Sequence, residues 1–296
     1  MDRPVSPRAQ KTAVLGHAVP RLEDLPLVTG NGRYAADIAF PHQLHMRIVR
    51  AARAHARIGG IDAAAARALP GVVAVWTADD LAGLPPIDFR GDRGSEQLKP
   101  YRQPVLAQGR VRYVGDPVAA VFAEDPYLAE DAAELVAVSY DDLAPVLSAD
   151  APPGEFEPGR TTEAAVLRHS YGDVDAAFAA AHTVIELDLA IGRHSGVPME
   201  TRGAIGRYDA ARDVLELHGA AKVPHRNRET LVRMLGRKPS AVHLYESHVG
   251  GGFGIRGELY PEDVLVLLAA LRLGRPVIRS SSITVCAAAK AASTSP

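Results

Sequence analysis

Apolar residues recur along this chain in two rhythms. Around 45–49, 72–77 and 117–123 they alternate or run together, carry many β-branched side chains and are flanked by Gly or Pro, which predicts strands. Helical spacings lie between them. Asp62 stands ahead of the Ala-rich run 63–69, where its carboxylate can accept the free N–H groups of a first turn, and Pro70-Gly71 stops the run. Asp125-Pro126 opens a second helix, with Leu128, Ala132, Leu135 and Val136 at helical intervals. Strands and helices thus interleave up to about Val146.

The stretch 150–159 holds Pro152, Pro153 and Pro158 with Gly154 and Gly159, and it interrupts every period, so a domain boundary is placed there. Beyond it, 183–189 alternates as a strand, 226–235 reads as a helix ended by Gly236, and 241–245 reads as a strand. A glycine-rich turn follows. Pro261 then opens a helix with Val264, Leu267, Leu268 and Leu271 on its buried side, closed by Gly274. From Ile278 the residues are small and polar without amphipathic order, as in a disordered tail. The pattern predicts an α+β fold divided into a flexible leader 1–20, a first domain 21–148, a linker 149–160, a second domain 161–277 and a tail 278–296.

Length and charge narrow the function. At 296 residues the chain has room for two ordinary domains. With 33 basic and 35 acidic side chains it has no sequence-wide attraction to nucleic acid or anionic membrane, and both are dropped as partners. A single cysteine, Cys286, excludes a disulfide framework and any multi-cysteine zinc or iron–sulfur site, and fits a reducing cytoplasm. Residues 1–21 lack the apolar core of a secretory signal, and the longest apolar stretch, 264–271, is too short to span a bilayer.

The chemistry concentrates in Val249-Gly250-Gly251-Gly252-Phe253-Gly254, between a predicted strand and a predicted helix. Consecutive glycines let the backbone take positive φ and bring successive N–H groups toward one anion, so the turn can cradle a cofactor. It can equally be a tight turn that needs glycine for its own geometry. A dinucleotide fingerprint fails, because Ile255 stands where the third glycine of G-x-G-x-x-G belongs. His42 and His45 flank a strand start, and His182, His194, His218, His225, His243 and His248 are scattered without an H-E-x-x-H pattern, so no metal is assigned to protein ligands. Ser247-His248 lies outside any nucleophile-elbow pattern, which disfavours a hydrolase.

The ordered motifs of the chain resemble those of the molybdenum hydroxylase large subunits, the family of xanthine dehydrogenase, aldehyde oxidase and carbon monoxide dehydrogenase. Arg21-Leu22-Glu23-Asp24, Thr29-Gly30-Asn31-Gly32-Arg33-Tyr34, Ala54-His55-Ala56-Arg57-Ile58, Pro70-Gly71-Val72-Val73-Ala74-Val75 and Val111-Arg112-Tyr113-Val114-Gly115-Asp116-Pro117-Val118-Ala119 are similar to the family's α/β hammerhead domain. Pro198-Met199-Glu200-Thr201-Arg202-Gly203, Val223-Pro224-His225, the glycine turn and Leu273-Gly274-Arg275-Pro276-Val277 are similar to the start of its molybdopterin-binding domain. Coverage runs from about Arg21 to Val277, and the resemblance implies that the second domain, 161–277, is incomplete.

The resemblance implies a molybdenum–molybdopterin cofactor, with the Phe253 N–H facing the metal's ligands and Gly251, Gly252 and Gly254 as flanking contacts. Where xanthine oxidoreductases place a glutamine that hydrogen-bonds a molybdenum oxo group, this chain has Lys222. The cation either takes over part of that role or faces solvent. The position of the family's purine-binding glutamate holds Gly257, with Glu258 beside it, which points away from purines and toward aldehydes or a related small substrate. The base glutamate, and any copper-ligating cysteine loop, are expected beyond this C-terminus, so no catalytic residue is assigned. The abrupt end of the likeness inside a motif fits a frameshift or premature stop. Iron–sulfur and FAD subunits are the partners the resemblance implies. The rival expectation is a non-catalytic fragment that keeps its hammerhead domain as an interaction surface and exposes the apolar face of 264–271.

Overall fold

The computed structural model describes Gly16 and residues 18–88, 96–166, 168–192, 194–219 and 223–279. A short helix α1 (Asp24–Val28) leads into β1 (Leu44–Arg50), β2 (Ala56–Asp62), α2 (Ala64–Ala68), β3 (Val72–Trp76), β4 (Arg110–Val111), β5 (Pro117–Ala123), α3 (Pro126–Glu134) and β6 (Ala137–Asp142). A small hairpin of β7 (Glu155–Glu157) and β8 (Arg160–Thr161) follows, then α4 (Val174–Ala179), β9 (Ala204–Asp209), β10 (Val214–Gly219), α5 (Pro224–Met234), β11 (Val242–Tyr245), α6 (Pro261–Leu273) and β12 (Val277–Arg279). The fold is mixed α and β, as the patterning predicts.

One seven-stranded sheet, in the order β11-β10-β9-β12-β1-β5-β3, runs through both halves of the chain. Its β12 pairs parallel with β1 and antiparallel with β9, and the Leu44 N–H donates to the Pro276 carbonyl at 2.7 Å. The two sides of the proline-rich stretch therefore share a sheet. They also share a core, since Leu44, Met46 and Phe122 belong to the same buried cluster as Leu215, Leu265 and Val277. A second sheet, β4-β2-β6, covers Ala51, Ala56 and Val111.

β5 explains why its sequence is an unbroken apolar run. Ala120 and Phe122 join the cluster that contains α6, whereas Ala119 and Val121 join a separate cluster with residues of α2 and α3. Both faces are covered, so alternation is lost. α3 starts where its cap predicts, with the Asp125 carboxylate accepting the N–H groups of Tyr127 and Leu128. α6 lies close against β9 because position 206 is glycine: a Cβ there would stand 2.2 Å from the Val266 carbonyl oxygen.

Four expectations change. The run 183–189 forms no strand; its side chains are exposed on both faces, and no strand pairs with it among the described residues. The linker 149–160 is partly ordered, because Arg110 donates to Glu155 and to the Phe156 carbonyl and so fastens the β7–β8 hairpin. The first two residues assigned to the tail are in a strand, since Ile278 pairs with His45 and Arg279 with Met46 in β12, while 280–296, with Cys286, lie outside the described residues. Finally, α6 exposes no apolar stripe: Val264, Leu265, Val266, Leu267, Ala269 and Ala270 are all buried, sharing their cluster with Leu81, Leu106 and Leu231. Among the described residues no helix is long and apolar enough to cross a membrane.

Candidate functional site

The glycine turn links β11 to α6 and borders a cavity of about 1050 Å³, whose wall includes Tyr34, Asp37, His45, Glu200, Gly250, Gly251, Phe253 and Arg279. Three of its residues occupy left-handed backbone: Gly251 at φ 107°, Phe253 at φ 42° and Gly254 at φ 87°. For a phenylalanine that conformation is strained, and strain of this kind collects at functional sites. The Phe253 side chain is 73% exposed, so apolar burial does not explain it. A Cβ at Gly251 would press on the Phe253 ring at 2.8 Å and on Pro198 at 3.1 Å, so the turn keeps this shape only with glycine there.

Among the described residues, the N–H groups of Gly251, Gly252, Phe253 and Gly254 have no acceptor, whereas the flanking ones do. Before the turn, His248 N–H donates to the Arg33 carbonyl at 2.9 Å and Arg33 N–H donates to His248 Nδ1 at 2.9 Å. Gly250 N–H donates to Glu200 Oε2 at 2.8 Å. After the turn, Ile255 N–H donates to the Gly252 carbonyl. A short stretch of unclaimed donors is thus held open between anchored ends, which is how backbone receives an electronegative ligand.

The charges around the cavity are set by burial working against ion pairing. Glu262, at the start of α6, is buried against Arg50, with Arg279 at 3.8 Å and Arg202 at 3.9 Å. Burial alone pushes its carboxyl up, but the guanidinium groups of Arg279, Arg202 and Arg50 outweigh this and hold its pKa at about 2. Arg279 is pulled down to about 10, by burial against the attraction of Glu262. His45 on the cavity wall is drawn below its ordinary value by burial, so it is neutral at neutral pH.

The family model for "Aldehyde oxidase and xanthine dehydrogenase, a/b hammerhead domain" matches residues 29–144, and that for "Molybdopterin cofactor-binding domain" matches residues 156–288. The chain belongs to the molybdenum hydroxylase large-subunit family. Among its curated relatives are the 6-hydroxypseudooxynicotine dehydrogenase complex subunit gamma of Paenarthrobacter nicotinovorans, 43% identical over 90% of this chain and 34% of that protein, and the same organism's nicotine 6-hydroxylase large subunit, 38% identical over 89% and 33%. Quinoline 2-oxidoreductase from Pseudomonas putida 86 superposes with a TM-score of 0.74 at 33% identity, over 90% of this chain and 34% of that one. The chain thus spans about a third of the length of these family members.

The sequence-predicted site divides in two. Gly251, Gly252, Phe253 and Gly254 come together as one turn, with Gly251 and Phe253 on the cavity wall, while Lys222 lies outside the described residues. Gly257 is buried and Glu258 exposed, and neither lines the large cavity. Glu200 and Arg256, which brace the turn, were not singled out as site residues. Glu200 contacts a residue 50 positions away, a distance no spacing rule reaches. Its one signal was its place in the family motif Pro198-Met199-Glu200-Thr201-Arg202-Gly203.

Proposed function

We propose that this chain supplies one wall of the molybdopterin site of a molybdenum-dependent oxidoreductase. The observation that carries this reading is the run of unclaimed N–H groups at 251–254, with Gly251, Phe253 and Gly254 in left-handed backbone and Gly251 and Phe253 on the cavity wall. The turn fits the cofactor the matched domain is described as binding: Gly251, Gly252, Phe253 and Gly254 would hold it by donating hydrogen bonds to its electronegative atoms. When bound, the cofactor supplies the redox centre of the oxidation. The residues of this chain orient it and keep the local charge fixed, with neutral His45 and the paired Glu262 and Arg279 nearby.

The remaining walls and the base carboxylate belong, on this reading, to the two-thirds of its relatives that the chain does not span. Val184, Ile185, Leu187, Leu189 and Ile191, all exposed, fit a surface that this remainder covers. The names of the relatives above favour a nitrogen-containing aromatic substrate. An aldehyde is the second reading, favoured by Gly257 in place of a purine-binding glutamate. Names such as "complex subunit gamma" and "large subunit" support assembly with further subunits, which on this reading carry the iron–sulfur and FAD centres.

A chimera tests the wall directly. Residues 1–277 are joined to the remaining two-thirds of the nicotine 6-hydroxylase large subunit, and bound pterin is measured by fluorescence after oxidative release. The chimera is expected to retain pterin and its Gly251→Val variant to lose it, because the new side chain collides with Phe253 and Pro198. Equal retention in both sinks the proposal.

A further inference from the structure

We propose that Glu200 is the positioning residue of the glycine turn and that Arg256 fixes Glu200 for that task. The inference rests on the cofactor reading for its purpose, but its geometry stands apart from any ligand. Glu200 grips Gly250 at both of its backbone polar groups: Oε2 accepts the Gly250 N–H at 2.8 Å, and the Glu200 N–H donates to the Gly250 carbonyl at 3.2 Å. Its other oxygen, Oε1, accepts the Ala35 N–H at 3.3 Å. One carboxylate thereby ties the first residue of the turn to the segment 33–35, where Arg33 already clasps His248.

Arg256, just past the turn, completes the staple. Its Nη2 lies 3.5 Å from Glu200 Oε2 and donates to the carbonyls of Glu200 and, at 3.3 Å, Thr201. The Arg256 side chain is 2% exposed and that of Glu200 10%, so these charge-assisted bonds are formed largely away from water. Both carboxylate oxygens already accept backbone N–H groups, which leaves Glu200 poorly placed to take a proton from a substrate. Its role is therefore to hold, and not to react.

The approach is so close that only glycine fits at 250: a Cβ there would lie 2.4 Å from the Glu200 Cβ. Fixing the peptide at 250 sets the direction in which 251–254 depart, and with it the aim of their free N–H groups. Glu200 also joins the two regions matched by the family models, since Ala35 lies in one and Gly250 in the other. Docking of the two regions thus adds the Ala35 bond to the hold on the turn.

Residue-resolved amide exchange by NMR on the full chain tests this without any cofactor. In Glu200→Ala the Gly250 amide is expected to exchange roughly tenfold or more faster, while the β5 amides keep wild-type protection. Glu200→Gln retains a carbonyl acceptor and is expected to restore most of the Gly250 protection. Wild-type exchange at Gly250 in Glu200→Ala overturns the proposal. So does an equal loss of protection in β5, which would make Glu200 a general stabiliser. If the exchange results are as expected but the chimera retains no pterin, the cofactor reading fails and the staple stands.

Discussion

β5 and the run 183–191 carry comparable apolar content and meet opposite fates. All seven residues of β5 are buried, between α6 on one face and α2 with α3 on the other. In 183–191 the apolar residues alternate with polar ones more regularly than in β5, yet Ile185, Leu187, Leu189 and Ile191 are each more than 70% exposed. Pattern makes a segment eligible for a sheet, but a free edge and a covering layer decide whether it joins one. β5 has neighbours on both edges, β1 and β3. The run 183–191 has none among the described residues.

Substitution widens the contrast. Phe122→Ala in β5 removes a fully buried ring that meets Trp76 edge-on at 4.6 Å, and is expected to cost about 3–5 kcal/mol in chemical denaturation. Leu187→Ala, the matching truncation in the exposed run, is expected to fall within about 0.5 kcal/mol of wild type. A large loss at Leu187 would mean that the run is covered in solution.

Glu262→Gln comes next, at about 3 kcal/mol near neutral pH, because it strips the buried partner from Arg50, Arg202 and Arg279. Its pH dependence has a defined sign. The Glu262 pKa is lowered from 4.5 to about 2, so its contribution is full above about 4.5 and is lost as pH falls toward 2. The stability gap between wild type and Glu262→Gln is therefore expected to close over that interval; a gap independent of pH would remove the ionised carboxylate from the account. The neighbouring Asp263 is pushed up by burial and, to a lesser degree, by the charge of Glu262, so the difference reports Glu262 together with its effect on Asp263.

Asp125→Ala is the mildest change in the packed region, expected to cost about 1 kcal/mol of thermal stability through two lost capping bonds on α3. An unchanged melting temperature would show that α3 is held by packing alone.

What could be read from the sequence follows the same division. β1, β3 and β5 were visible because buried strands write apolar runs, and α3 and α6 because Asp125, Pro126, Pro261 and Gly274 mark their ends. β2 was hidden by Gly59 and Gly60 in its middle, and β10 by Glu216 and His218. Buried Glu216 is tolerated because Arg207 on the paired strand reaches it at 3.0 Å, a compensation that exists only after pairing. The same holds for the site. The glycine turn was legible as local geometry, whereas the Glu200–Arg256 brace is a tertiary event between residues 56 apart, and the depth of α6 depended on partners from 81–106.

Molybdenum per chain, measured by mass spectrometry side by side on the isolated chain and on the chimera that restores the remaining two-thirds, tests the central claim most directly. A single wall predicts close to one molybdenum in the chimera and far less in the isolated chain. Near-stoichiometric metal on the isolated chain would contradict the claim that the turn is only one wall, and no metal in the chimera would contradict the claim that it is a wall at all.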